Sequence, residues 1–481
     1  MRKLSLTLIL VLLVASFSSC TKTEYITIVA PTEEPDNSSY TIMLYGCGGG
    51  NLDGSLITNI QEALIAGDSE RVHFTGQIKF SARFQDTEVF AGTQRFVVGE
   101  AGARWYEPAQ VLGADLKLYD PHNLADFINW SKEQCPADNY ILILWNHGAG
   151  WLPEDDNPQD SRAVVYDDVL NKRGLTLDEL VEGINLSNTK LKMVYYDACL
   201  MGMAEIITGL MDCTEYVMSA SHITPGVGGD YYSLMHNLNN ATNFETAMKA
   251  YCYDTITHWQ PTKYPLDIML VDLSKMDPLL SEIKLFAQYL KEMAQIYNST
   301  KVQINLGKLD PTSYNNAVNI LNTYEYAINS CYHYDTDSDI KGRAKYPFYD
   351  IQQLAEYFAN GMYSTYSAKL IDVASRMNRA FNDAIVCKNL TAQIMGQTLT
   401  MAVTIVDKEM WNSNKYQEAY DKLLFQKKTG WGDWLSTNPV RPTYNPNPYS
   451  FIEEEEGEEG YIPEPSFEEE LALLLDMIGK R

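Results

Sequence analysis

The sequence predicts an α/β fold, a mostly parallel sheet flanked by helices, followed by a more helical C-terminal region. Apolar runs at 41–45, 140–145 and 191–196 lack the polar alternation of a half-solvated strand and read as strands covered on both faces. Segments with helical apolar spacing, at 124–131 and 177–184, lie between them. Strand and helix in alternation make crossover connections, and crossovers put successive strands parallel.

The chain opens with Arg2 and Lys3, an apolar run at 4–17, and the small residues Ser18 and Ser19 before Cys20. This is the pattern of an export signal, and the run is too short to serve as a permanent membrane span. A cysteine directly after such residues resembles the lipobox of bacterial lipoproteins. That resemblance implies a signal peptide over 1–19 and an acylated Cys20 that anchors the protein to a membrane of the bacterial cell envelope, on the periplasmic side or the cell surface. No other stretch of eighteen uninterrupted apolar residues occurs.

Residues 20–39, with Pro31, Glu33, Glu34 and Pro35, read as a tether. The α/β pattern occupies 40–259: the strand at 41–45, a Gly-rich loop at 46–54, an alternating strand at 77–84, then the helices and strands already named. From 260 to 435 the text is more helical, at 280–295, 316–329, 351–359 and 368–385, with strand-like 267–271 and 399–406 able to return a strand to the sheet. Residues 436–481 form an acidic tail carrying Glu453 to Glu456, Glu458 and Glu459.

Among the 481 residues, 45% are hydrophobic, enough for a large core, and the formal net charge is -26. Loss of Arg2 and Lys3 would take that to -28 (-26 minus 2). Such a field repels nucleic acid and attracts cationic peptides. Of eight cysteines, seven remain after Cys20, an odd number with no CxxC spacing, which argues against a disulfide framework and a zinc site and leaves at least one thiol free. Asp335, Asp337 and Asp339 imitate the start of an EF-hand, but Ile340 takes the glycine place and Tyr346 the final glutamate place. The glycines at 46–50 lack a Walker lysine and GxGxxG spacing, so a turn replaces a nucleotide loop. Nothing in these patterns requires a metal or cofactor.

In open α/β sheets the chemistry sits in loops at the carboxyl ends of strands. His147 stands two residues past Trp145, before Gly148, Ala149 and Gly150, where small residues let backbone approach a substrate. Cys199 stands three past Tyr196 and opens into 200–210, which reads as a helix whose dipole would lower the thiol pKa. The histidine precedes the cysteine by 52 residues (199 minus 147), near the roughly 50 of caspases.

LILWNHGAGW (142–151) and VYYDACLMGMAEI (194–206) resemble the two signature segments of the clostripain-like cysteine peptidases, within the caspase-like group. IMLYGCGGGNLDG (42–54), the run-in at 124–145, GLTLDEL (174–180) and SASHITPGVGGDYY (219–232) support the likeness, which continues weakly through 268–276 and 399–406. Asn146 departs from the family's usual aspartate, Cys47 with Gly48 to Gly50 from a more polar loop, and Gly229 from a usual tryptophan.

The resemblance implies a caspase-like sheet and hydrolysis of peptide bonds in a peptide or protein substrate by a His147/Cys199 dyad, with the backbone N–H groups of Gly148 and Cys199 as oxyanion hole. It implies cleavage after Arg or Lys, with Asp197 and Asp230 as candidate carboxylates for that side chain, and activation by a cut between histidine and cysteine, at Arg162, Lys172 or Arg173. Some relatives use calcium, for which the acidic 154–160 segment offers carboxylates. The rival reading is a catalytically idle envelope lipoprotein of the same fold that binds peptide, glycan or protein, against which stands the presence of both dyad residues with their flanking glycines.

Overall fold

The computed structural model describes residues 37–49, 52–81, 91–152, 164–167, 170, 173–262, 264–334, 346–361, 367–412 and 414–443, all within a compact unit that begins at Asp36. The lipobox cysteine Cys20, the EF-hand-like aspartates, the 154–160 segment and the acidic tail from 444 on lie outside the described residues, whereas the first residues assigned to that tail are packed, with Asn438 and Val440 buried.

In chain order the first elements are β1 (Tyr40–Cys47), α1 (Asp53–Ala66), β2 (Val72–Phe80), β3 (Gly92–Val97), β4 (Pro108–Gly113), α2 (Pro121–Gln134), β5 (Asn139–Trp145), β6 (Val164–Asp167), β7 (Arg173–Leu175), α3 (Leu177–Leu186) and β8 (Leu191–Asp197). There follow α4 (Ala204–Gly209), β9 (Thr214–Ser219), α5 (Tyr231–Asn240), α6 (Phe244–Trp259), β10 (Asp267–Asp272), α7 (Met276–Asn305), α8 (Pro311–Asn329), β11 (Phe348–Asp350), α9 (Ile351–Asn360), α10 (Ser367–Ala384), β12 (Ile385–Leu390) and β13 (Ala402–Thr404), then short helices to Leu435.

Among the described residues one nine-stranded sheet dominates, in the order β12-β10-β9-β8-β5-β1-β2-β3-β4. Its centre, β9-β8-β5-β1-β2, is parallel throughout, and antiparallel strands extend it on both sides. The central strands alternate between two cores. Met43, Tyr45, Leu142, Leu144, Val194 and Tyr196 face α2, α3 and the long helices of the C-terminal region. Ile42, Leu44, Ile141, Ile143, Met193 and Tyr195 face α1, α5 and α6. Each residue of these strands therefore has an apolar neighbour, which is why they read as continuous apolar runs.

Helix starts follow local chemistry. Asp120 caps α2 by accepting from the His122 N–H, with Pro121 in the first turn, and Thr176 with Glu179 forms a reciprocal capping box on α3. The C-terminal region does return strands to the sheet, namely β10 and β12, whereas the strand-like 399–406 segment supplies β13, which pairs with β11 in a separate ribbon. The expected loop at 46–54 ends sooner, because α1 begins at Asp53. The expected strand at 77–84 begins at Val72 and closes at Phe80.

α4 is anchored to the C-terminal region by Glu205, which is fully buried. Its Oε1 accepts from the Thr404 N–H at 2.9 Å and the Tyr420 hydroxyl at 3.0 Å. Burial pushes its carboxyl up to about 7 against hydrogen bonds that pull it down. The folded chain therefore holds a proton that the unfolded chain releases near pH 4.5. This contribution is fully present below that pH and is lost as pH rises through about 7, at a cost of about 3 kcal/mol. Glu205→Gln keeps the acceptor and removes the charge, so its urea stability is expected to decline less than the parent's between pH 5 and pH 8. Equal pH slopes would reject the assignment.

Candidate active site

The register of β5 and β8 builds the site. The two strands are parallel neighbours with Trp145 opposite Asp197, so His147 and Cys199 each lie two residues beyond a paired position, on adjacent strand ends. Neighbouring strands run about 4.8 Å apart. His147 is exposed, whereas Cys199 is half-buried. Gly148 packs against the Cys199 backbone: a Cβ there would overlap the Cys199 carbonyl oxygen and come within 3.0 Å of the Ala198 Cβ. This close approach, with no left-handed backbone involved, is what requires glycine.

Cys199 Sγ receives the Thr224 N–H at 3.3 Å and lies 3.5 Å from the Thr224 hydroxyl. Burial pushes the thiol above its ordinary value. The Thr224 hydroxyl and N–H and the Gly148 N–H pull against that rise, and the Asp197 charge adds to it. The expected helix over 200–210 is a correction here, because α4 starts only at Ala204. Leu200 adopts a left-handed φ of 60° with its N–H held by the His222 carbonyl, and the Gly202 N–H goes to the Ala220 carbonyl. The dipole expected to depress the thiol pKa is thus not in line behind Cys199.

Asn146 is buried and bridges two loops, its Nδ2 donating to the Cys47 carbonyl at 2.5 Å and its Oδ1 accepting from the Tyr166 N–H at 3.0 Å. An aspartate could not make the first of these bonds, which accounts for the amide at this position. Farther along, Trp151 Nε1 donates to the Thr404 hydroxyl at 2.7 Å and the indole packs edge-on against Tyr420, pinning the loop after His147. Cys47 is fully buried at the end of β1.

Asp197 is buried below Cys199, its Oδ2 accepting from the Gly229 N–H at 2.9 Å and the Tyr231 hydroxyl at 2.8 Å. Burial pushes its carboxyl up to about 6 in spite of those bonds. Asp230 is also buried and caps α5, its oxygens accepting from the Ser233 N–H at 3.0 Å and hydroxyl at 2.6 Å. Arg173 is not on an open loop: it lies in β7, paired with Glu179 and stacked over Tyr119. Arg162 and Lys172 lie outside the described residues.

Sequence reasoning missed Asn59, Glu62 and Thr224. Asn59 accepts from Trp145 Nε1 at 2.8 Å and donates to the Val227 and Gly229 carbonyls at 2.9 Å, while Glu62 accepts from the Tyr231 N–H at 3.0 Å. These bonds fix the 223–230 loop, in which Gly228 has φ +64° and Gly229 abuts the Tyr195 and Tyr251 hydroxyls. A tryptophan at 229 would have no room. His222 is fully enclosed, with Nδ1 at 2.5 Å from Asp267 and Nε2 at 2.7 Å from the Tyr332 hydroxyl, so it braces the loop from beneath. Among the described residues no three His, Cys, Asp or Glu side chains cluster as metal ligands, and no helix is long and apolar enough to cross a membrane.

The sequence profile of the Clostripain family matches residues 98–437. Clostripain of Hathewaya histolytica is 28% identical over 197 residues, an alignment covering 37% of this chain and 37% of that protein. The chain thus aligns with little more than a third of that relative's length. A secreted C11 cysteine protease from Bacteroides thetaiotaomicron, solved with an irreversible peptide inhibitor, superposes with a TM-score of 0.58 at 15% identity, over 82% of this chain and 99% of that one. An inactive zymogen C11 protease from Parabacteroides distasonis gives 0.53 at 15% identity, with the same coverage. These likenesses show the fold, a mostly parallel caspase-like sheet flanked by helices. With the matched profile running from the end of β3 through the short C-terminal helices, the chain belongs to the Clostripain family.

Proposed function

We propose that this chain is a cysteine endopeptidase that cleaves after Arg or Lys. The reading rests on the β5/β8 register, which brings an exposed imidazole and a half-buried thiol to equal heights on neighbouring strand ends. His147 takes the Cys199 proton, and the sulfur attacks the scissile carbonyl. The N–H groups of Gly148 and Cys199 receive the oxyanion, and His147 returns the proton to the leaving amine. Water, deprotonated by His147, then releases the acyl group and restores the thiol.

Asp197 is the better of the two candidate carboxylates for a basic side chain, because its bonds to Gly229 and Tyr231 both fall on Oδ2, whereas capping α5 engages both oxygens of Asp230. Export fits the N-terminal pattern and the secreted B. thetaiotaomicron neighbour, with Cys20 as the lipid attachment point. Activation by a cut near Arg162 or Lys172, ahead of strand-paired Arg173, is in keeping with the zymogen form of the P. distasonis neighbour.

Peptidyl chloromethyl ketones test chemistry and specificity together. A reagent ending in Lys should alkylate Cys199 at least tenfold faster than one ending in Leu at pH 7.5. The Lys-to-Leu ratio should fall at pH 5, where Asp197, held at about 6, takes up a proton; using the ratio cancels the ionisation of the dyad. Alkylation away from Cys199 would retire the peptidase reading, and equal rates for the two reagents would retire the specificity.

A further inference from the structure

We propose that Cys252 on α6 and Cys387 on β12 are a disulfide-forming pair, a modification site that ties α6 to the strand at the edge of the sheet. Their sulfur atoms lie 3.2 Å apart across a sequence separation of 135 residues. A formed bond needs about 2.0 Å, so closure asks for roughly 1 Å of approach. The setting permits it. Among the described residues β12 is an edge strand, paired with β10 alone, and its pairing carries a bulge between Leu270 and Val271, beside the position opposite Cys387. An edge strand at a bulge can shift without breaking a second ladder. Two of the other cysteines are disposed differently: Cys199 bonds with Thr224, and Cys331, just past α8, donates to the Ala327 carbonyl in that helix's last turn. An odd total of thiols accommodates one such pair and still leaves the nucleophile free.

The two thiols are unequal in a way that orders the chemistry. Cys387 is half-buried, and the sulfur contact with Cys252, with help from the Leu270 backbone and the Lys249 cation, holds its thiol below the ordinary value against burial. Cys252 is fully buried, and its bond to Cys387 together with burial holds it well above. An external oxidant reaches the half-buried Cys387 before the enclosed Cys252, so Cys387 attacks first. Its thiolate displaces one thiolate from a disulfide-bearing oxidant, forming a mixed disulfide. The Cys252 thiolate then attacks the Cys387 sulfur and expels the second thiolate of the oxidant. Two electrons pass to the oxidant, and the protons lost by Cys252 and Cys387 end on its two sulfurs. The extracytoplasmic compartment proposed above supplies oxidants of that class, and the pair itself is testable apart from that proposal and from the peptidase activity.

The tie would also have a neighbour of consequence. Lys388, next in the chain, ion-pairs with buried Asp267 at 2.8 Å, and Asp267 holds the backbone N–H groups of Ser221 and His222. Fixing β12 thus fixes the cation that supports the loop beneath the nucleophile.

The test uses the full chain carrying Cys199→Ala, so that the reactive thiol and self-digestion do not interfere. The folded protein is treated with oxidised glutathione, unfolded, alkylated and mapped by mass spectrometry. The expected result is the loss of two alkylatable thiols and a linked peptide joining 252 to 387, with the melting temperature of the oxidised form several degrees above that of the reduced form. With Cys252→Ser the oxidant should instead leave glutathione on Cys387, and that variant and Cys387→Ser should each abolish the melting-temperature difference. Both thiols remaining alkylatable, or Cys387 linked to any other cysteine, would overturn the pair. A linked pair that leaves the melting temperature unchanged would overturn the tie.

Discussion

Cys199→Ala is expected to lower kcat/KM for a basic peptide substrate by about 10⁴-fold or more, close to background. The proposed reaction passes through a bond between this sulfur and the substrate's acyl carbon, and an alanine methyl group can form none. Oxyanion donors survive the substitution, since both are backbone N–H groups, so a small residual acceleration is compatible with the mechanism. His147→Ala should lower the rate by about 10² to 10⁴-fold, because a thiol that burial holds above its ordinary value depends on a base to ionise. The double variant should be no worse than Cys199→Ala alone, since the two groups act on one proton and one bond. Melting temperatures should stay near the parent's, as Cys199 is half-buried and His147 exposed. A Cys199→Ala protein that folds and still turns over substrate within tenfold of the parent would remove the nucleophile from the mechanism.

How much of this was legible from residues alone depended on what surrounds each segment. β5 and β8 are covered on both faces, so Ile141, Leu142, Ile143 and Leu144 in one and Met193, Val194, Tyr195 and Tyr196 in the other form unbroken apolar text. The placement of His147 and Cys199 on neighbouring strand ends was legible for a related reason. A histidine or a cysteine directly past such a run, with glycines close by, has few roles other than at a strand end. β3 and β4 were not legible: they extend the sheet at its margin, β4 carries largely exposed side chains, and bulges interrupt their pairing. α1 escaped because the glycines at 46–50 resemble a long turn, and because its buried face includes Asn59 and Glu62, polar residues whose partners come from a loop some 170 residues away.

The misread helix at 200–210 has a particular cause. Leu200, Met201 and Met203 are apolar at plausible helical spacing, yet they are buried in a turn whose N–H groups bond to the 220–222 backbone. Periodicity detects burial and cannot tell a buried turn from a buried helix. Thr224, which supplies the N–H on the Cys199 sulfur, sits 25 residues beyond it in a loop whose position is set by Asn59, Asp197 and Asp267 together. Its role could be read only once those long-range bonds were known.

The second large effect is expected at Lys388, whose ammonium group meets Asp267 at 2.8 Å where the carboxylate is fully enclosed. Burial alone would drive the Asp267 carboxyl upward, but Lys388 and then His222 hold it far below the usual carboxylate range. The stabilisation from this group is fully present above about pH 4, the unfolded value, and is lost only as pH falls through the depressed folded value. Lys388→Met strips the principal cation from a buried anion, a change that typically costs about 3–5 kcal/mol. Without the lysine the carboxyl rises, so the deficit measured by urea unfolding should be largest near pH 7 and shrink as pH approaches 4, where the variant can neutralise the site by protonation. Asp267→Asn in the same chain retains the Oδ1 acceptor for the Ser221 and His222 N–H groups while removing the orphaned charge, so the double variant should recover part of the loss. Lys388→Met destabilised by less than about 1 kcal/mol, or by the same amount at both pH values, would mean that the loop beneath Cys199 is held by its hydrogen bonds without help from the buried charge.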